Sequence, residues 1–535
     1  MKPETQWLQK KWAMPDAACD AVDKLFAVQK EGSTAHKLEA PFSDWGKAAA
    51  PPDGDKSTPL VVVDHDTSTF VQTRWFFEAE QKIAHSLAGL NSEEPVDCTP
   101  EKLANCFPEE GLQRDAASMA LAKRLAVITG GPGTGKTYTL AHILALLIDG
   151  RIDPKTIQLT APTGKAADRM KEAVNQASTS LGQDLQAHLQ AASSSSKTIH
   201  SLLRHNPGKN SCTYHHGHRL PCKILIVDEC SMVDTMLWKA LLEALPDDAR
   251  LILLGDPNQL ESVGRGNVFS EIAASEALKS ARVHLTKSLR FSDRPAISQL
   301  ALAIEGRKDE EAVDLLSKNQ EPTCPDGLFW SESTGVSQIL KNLPPAVLEA
   351  MQAVAFAPTP EEALQALNKV RILTSHRIQT SGSDSLGSEI EKLLTGKNPS
   401  QKIRNRPIII NRNDPETGLR NGEVGIVYPD GEGLKVHFDK REAVSVSKLP
   451  EHSPAWTITI HRSQGSEYEN VLVVLPKKSN SPLATRQLLY TAITRSKQSL
   501  FVYGSTEVIR KAISHTGQRT TLLEFHLRSS FSKAQ

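Results

Sequence analysis

The chain has 535 residues, and its 62 basic and 62 acidic side chains leave a formal net charge of zero. That length exceeds one hydrophobic core and implies roughly three or four domains, and neutrality means that a nucleic-acid partner must be gripped by local patches rather than by an overall basic field. Seven irregularly spaced cysteines argue against a disulfide framework, no run approaches the roughly eighteen apolar residues of a membrane span, and residues 1–7 lack an apolar signal core, so a cytoplasmic protein without membrane association is expected.

Residues 1–30 read as helical, with Trp12, Ala18, Val22, Leu25 and Phe26 on a partly apolar face. Composition then shifts to Ser, Pro, Gly, Ala and Asp over 32–58, broken by Pro51-Pro52-Asp53-Gly54. A strand at 59–64 and a strand running into a helix at 70–87 complete an N-terminal module, 1–108. It carries no chemical signature, and partner docking and a structural cap are both open readings.

The stretch 125–147 carries the chemistry. A Val- and Ile-containing apolar run reads as a buried strand, and a long apolar run after the glycines reads as a buried helix. Between them Gly130, Gly131, Pro132, Gly133, Thr134, Gly135, Lys136 and Thr137 follow G-x-x-x-x-G-K-T. Backbone N–H groups in such a loop wrap phosphate oxygens at a helix N-terminus. Lys136 is expected on the β- and γ-phosphates of ATP and the Thr137 hydroxyl on Mg²⁺. Gln113, ahead of this loop, has an amide able to donate to and accept from an adenine edge.

Further strands at 156–161, 223–227, 251–254 and 282–285 alternate with helical stretches, which implies a mainly parallel sheet covered on both faces. Ligand-binding residues belong at the strand ends. Pro162 and Thr163 follow the first, Asp228 and Glu229 the second, and Gln259 lies just beyond the third. A carboxylate after a buried strand holds Mg²⁺, and the next one orients and deprotonates an attacking water. Between 193 and 221 the chain turns polar. Cys212, His215, His216, His218 and Cys222 fit no standard structural zinc spacing, so an exposed hairpin near 204–222 is the preferred reading.

Residues 306–400 read as mixed helix and loop. Short β-rich runs at 407–410, 422–428 and 434–438 then suggest a small inserted barrel, 401–449. The α/β pattern resumes with a strand at 471–475 and a helix at 485–495 whose Leu488, Leu489, Ala492 and Ile493 form one stripe. Arg495 ends that helix. It either complements the helix dipole or serves as an arginine finger.

The phosphate loop, Asp228-Glu229, Gln259, Ser463-Gln464-Gly465-Ser466-Glu467 and Tyr490-Thr491-Ala492-Ile493-Thr494-Arg495, in that order, resemble superfamily 1 DNA helicases, and more narrowly the RecD family of exodeoxyribonuclease V alpha subunits. The resemblance implies an α/β fold with two RecA-like P-loop NTPase domains, 109–290 and 291–400 with 450–535, and an SH3-like β-barrel inserted at 401–449. It implies ATP between those domains, single-stranded DNA across them, 5′→3′ movement and action at duplex DNA ends in recombination and repair. RecB-like and RecC-like subunits would complete a heterotrimer. Carried over by residue, Gln113, the loop 130–137, Tyr138, Gly465 and Glu467 would hold nucleotide, and Thr137 and Asp228 would hold Mg²⁺. Glu229 would be the base, Gln259 the coupling sensor, and Arg290 and Arg495 the fingers. Pro162, Thr163, His200, Thr459, His461 and Gln464 would touch DNA or link it to ATP. Two rivals remain: a stand-alone RecD-like helicase, against which the short N-terminal module speaks, and a non-catalytic scaffold subunit, against which the full catalytic set speaks. No separate nuclease constellation is visible, so cutting is expected from a partner.

Overall fold

The computed structural model describes residues 1–39, 45–178, 183–287, 295–323, 326–378, 381–396, 404–431, 433–439, 441–517 and 519–534. They form two compact units, 1–257 with 261–287 and 518–535, and 258–260 with 288–517.

In the first unit the helices Pro3–Trp12 and Asp16–Lys30 precede a small sheet containing Leu60–His65 and Ser68–Thr73, and the helix Arg74–Leu90 follows. The main sheet is parallel. Among the described residues its strand order is Arg282–Leu285, Leu125–Gly130, Arg250–Gly255, Ile224–Val227, Ile157–Ala161, Lys197–Thr198. Its three central strands are buried throughout, which is why they read as unbroken apolar runs: both faces are covered. Alternation persists within the burial. Leu125, Val127, Leu225, Val227, Leu251 and Leu253 enter one core, whereas Ala126, Ile128, Ile224, Ile226, Ile252 and Leu254 enter the opposite one.

The chain's last segment also belongs to this unit. Thr34 and Ala35 donate backbone N–H groups to the Thr520 carbonyl at 2.9 and 3.1 Å. Leu523 and Leu527 join the core that holds Ile83 and Leu87. The division read from sequence, with 450–535 wholly in the second domain, is therefore corrected at its end. Tail docking rests on tertiary contacts such as the Arg519–Glu261 ion pair at 2.7 Å, which local pattern does not encode.

The second unit is built on another parallel sheet, ordered Leu328–Ser331, Ser496–Tyr503, Tyr468–Val474, Val370–Thr374, Thr457–Thr459 among the described residues. The first and fourth strands fall in the region read as mixed helix and loop. Val370–Thr374 starts directly after the helix Pro360–Lys369 and contains the buried Arg371. That guanidinium donates to the Ala455 carbonyl at 3.1 Å and lies 4.9 Å from the Tyr468 ring centroid. A charge inside a short strand hid its apolar pattern. Between sheet strands, Arg406–Ile410, Val424–Asp430 and Gly433–Phe438 form an antiparallel sheet with its own core of Ile408, Ile410, Val427, Val436 and Phe438. No helix among the described residues is long and apolar enough to cross a membrane.

Candidate active site

The strand Leu125–Gly130 ends in the glycine loop, and the helix Lys136–Asp149 begins immediately after it. Gly135 caps that helix with φ +84, a left-handed conformation that costs glycine little. A β-carbon there would also strike the Gln113 amide. Gln113 is thus part of the loop's surroundings, its Nε2 donating to the Thr134 carbonyl at 3.1 Å. Lys136 Nζ donates to the carbonyls of Gly130 and Gly131 at 2.5 and 2.9 Å, and the Thr134 hydroxyl braces the loop on the Gly131 carbonyl at 2.8 Å. Tyr138 is exposed one residue past Thr137, with its ring 4.1 Å from that of His142, which in turn lies 5.4 Å from Phe107. The first-turn N–H groups have no intrahelical partner and carry the positive end of the helix dipole. A cradle of N–H groups with one ammonium fits a polyphosphate.

Asp228 and Glu229 stand at the carboxyl end of Ile224–Val227, in the same sheet. The Asp228 N–H reaches back to the Thr160 carbonyl at 2.9 Å, and Asp228 Oδ1 accepts the Glu229 N–H at 2.8 Å. Burial, and next the neighbouring Glu229 carboxylate, push the Asp228 carboxyl up to about 7, while the Lys136 ammonium pulls it down. A divalent cation would relieve that penalty, and the carboxylate with the Thr137 hydroxyl is the oxygen donor set a hard cation prefers. Glu229 adopts φ 52, ψ 43. A left-handed conformation is costly for a residue with a β-carbon, and observed strain of this kind clusters at functional sites. On the edge strand Arg282–Leu285, beside Leu125–Gly130, His284 Nδ1 lies 2.9 Å from the Thr129 hydroxyl, a contact sequence reading missed.

Within the second unit, Arg495 is buried at the end of the helix Arg486–Ile493. Its Nε donates to the Thr491 carbonyl at 3.0 Å, Nη1 to the Ser466 carbonyl at 3.2 Å, and Nη2 to Gln259 Oε1 at 2.6 Å. Gln259 belongs to the segment Asn258–Leu260, which packs in this second unit and so departs from the 109–290 boundary. Leu260 is in its hydrophobic core. Gln464, assigned to DNA by resemblance, donates its amide to the Leu260 carbonyl at 3.0 Å. Gly465 is buried with φ +69, and Glu467 lies 3.8 Å from Lys497. Arg290 lies outside the described residues.

The remaining assigned positions are spread over both units. Pro162 and Thr163 follow Ile157–Ala161, and the Thr163 hydroxyl accepts the Ala166 N–H at 3.2 Å. His200 is exposed, 5.4 Å ring to ring from His205. In the second unit Thr459 ends the strand Thr457–Thr459 and His461 opens the turn after it. The hairpin is present, with His205–Asn206 paired antiparallel to Ser211–Cys212. Its cysteines serve packing: Cys222 is in the core and Cys212 lies against it. Phe107 and Thr491 were not singled out. Phe107 has no motif spacing, whereas Thr491 lies inside the motif 490–495, where the resemblance gives it no role of its own.

A glycine loop opening a helix, with an acidic pair at a strand end of the same parallel sheet, defines a P-loop NTPase. The family description "AAA domain" matches residues 113–265, beginning at Gln113, and "UvrD-like helicase C-terminal domain" matches 454–503. The RecBCD enzyme subunit RecD of Mycolicibacterium smegmatis is 35% identical over 469 residues, 85% of this chain and 81% of that one. Its counterpart in Haemophilus influenzae is 31% identical over 78% of this chain and 73% of that one. The ATP-dependent RecD2 DNA helicase of Deinococcus radiodurans is 28% identical over 83% and 57%. The chain belongs to the RecD family, and it is a DNA-dependent ATPase and helicase.

Proposed function

We propose that this chain is the 5′→3′ motor of a RecBCD-type exodeoxyribonuclease V, working in the bacterial cytoplasm on single-stranded DNA at duplex ends with RecB-like and RecC-like subunits. One observation carries the chemistry: Lys136, Asp228 and the strained Glu229 share the carboxyl edge of one parallel sheet. The loop 130–137 holds the ATP phosphates, and Gln113 and Tyr138 hold the base. Asp228 and Thr137 hold Mg²⁺, which neutralises phosphate charge when bound. Glu229 orients the attacking water and takes its proton. Gln259 and Arg495 respond to the terminal phosphate, and release of that phosphate shifts the protein between two conformations, which is how turnover becomes movement. DNA contacts from Pro162, Thr163, His200, Thr459 and His461 grip the strand without reading its sequence. The antiparallel sheet inserted at 401–449 is read as an SH3-like barrel, and the module 1–108 as the docking element for the partner subunits.

The test compares Lys136→Ala and Glu229→Gln in the full chain with single-stranded DNA present. Lys136→Ala should abolish turnover. Glu229→Gln should bind nucleotide yet hydrolyse it at least about 100-fold more slowly. Wild-type turnover by either variant sinks the assignment, and displacement only from 3′-tailed duplexes sinks the direction.

A further inference from the structure

We propose that Thr491 is a positioning residue for ATP hydrolysis, fixing Gln259 and Arg495 in one register. The inference rests on the ATPase reading above. Gln259 lies in a three-residue segment, Asn258–Leu260, that interrupts the first unit's chain and packs in the second. Both of its flanks are tied down. Asn258 Nδ2 donates to Glu305 Oε1 at 2.7 Å. On the other side the Leu260 carbonyl accepts from Gln464, and the Leu260 N–H donates to Thr491 Oγ1 at 2.8 Å.

Thr491 makes a second contact through a different atom. Its backbone carbonyl accepts Arg495 Nε at 3.0 Å, one helical turn along. One fully buried residue therefore holds the segment that carries Gln259 through its hydroxyl and the Arg495 guanidinium through its carbonyl. Those two held groups meet each other at 2.6 Å. A helix position facing a core needs only an apolar side chain of this size. The hydroxyl adds an acceptor for a buried N–H that is otherwise an orphan. Valine has the same shape without that acceptor, so Thr491→Val releases Leu260 while leaving the carbonyl on Arg495.

The experiment measures kcat and KM for ATP at saturating single-stranded DNA for the parent, Thr491→Val and Thr491→Ser, with Lys136→Ala as control and a melting curve for each. Thr491→Val is expected to lose roughly tenfold or more in kcat with KM within about twofold, the signature of a group acting after binding. Thr491→Ser, which restores the hydroxyl, should recover to within about threefold of the parent. A parental kcat in Thr491→Val overturns the proposal, as does an equal loss in Thr491→Ser. If Thr491→Val does not fold, a Thr491→Ser variant that folds but falls as far as Lys136→Ala overturns it as well. Absent DNA-stimulated turnover in the parent, or turnover surviving Lys136→Ala, would instead overturn the ATPase reading itself.

Discussion

Arg495 Nη2 donates to Gln259 Oε1 at 2.6 Å across 236 positions of sequence. Its Nε and Nη1 donate to the carbonyls of Thr491 and Ser466, so the arginine is held in a three-way fork. Lysine cannot reproduce this, because an ammonium lacks the planar arrangement of donors. On the finger reading Arg495 exchanges Gln259 for a terminal phosphate, because the carboxamide is the side-chain member of the fork, whereas the other two partners are backbone carbonyls.

That competition sets the first expectation. Arg495→Lys should lower DNA-stimulated kcat by about 1,000-fold or more, the scale on which arginine fingers act. The choice of residue at 259 separates parking from sensing. Gln259→Glu turns a charge-assisted hydrogen bond into a buried ion pair, which holds the arginine more strongly. It should therefore turn over ATP more slowly than Gln259→Ala. Steady-state kinetics in which the Glu variant equals or exceeds the Ala variant would show that release of Arg495 is not part of the cycle.

Gln113 gives a second expectation. Its amide nitrogen is fixed on the Thr134 carbonyl at 3.1 Å, which orients the carboxamide beside the loop. Gln113→Ala should raise KM for ATP by about tenfold, the worth of one good hydrogen bond, with kcat nearly unchanged. KM for GTP, whose base offers a different donor and acceptor edge, should move less. An equal rise for both nucleotides would assign Gln113 to loop support alone.

Much of the first unit was legible because its central strands are apolar and end in residues whose chemistry is unmistakable. Gly130 to Thr137 and Asp228-Glu229 are local signals of that kind, and the structure joins them at one sheet edge. What sequence could not show is where short segments go when tertiary contacts outweigh chain neighbours. Asn258–Leu260 follows a first-unit strand yet packs in the second unit. Residues 519–534 follow a second-unit helix yet return to the first. The strand Val370–Thr374 escaped notice because a buried arginine interrupts it, its charge supported by Tyr468 and a carbonyl far along the chain.

The returning tail supplies the third expectation, because a buried acid receives it. Glu80 is 1% exposed. Its Oε1 accepts from the Thr34 hydroxyl at 2.6 Å, and its Oε2 accepts from the Gln72 amide at 3.0 Å and from the Leu522 N–H at 2.9 Å. Burial raises its carboxyl from 4.5 to about 7 despite those three bonds, and Glu80 in turn helps push Glu271 up to about 8. The folded protein thus holds this proton more tightly than the unfolded chain. Glu80's contribution to stability is complete below about 4.5, declines as pH rises to about 7, and is flat above. Buried His526, lowered to about 4, acts with the opposite slope between there and its ordinary range, so the comparison must be between variant and parent. Glu80→Gln keeps an acceptor for Gln72 and Leu522 and turns an amide toward the Thr34 hydroxyl, which can rotate to accept it. Relative to the parent it should gain stability between pH 5 and pH 8, by at most about 3 kcal/mol. Glu80→Ala should instead lose about 1–3 kcal/mol at every pH by stranding buried donors, and should speed amide exchange at Leu522. Urea unfolding at several pH values reads both, and a parent-minus-variant difference that does not change with pH would mean that Glu80 titrates alike in the folded and unfolded chain.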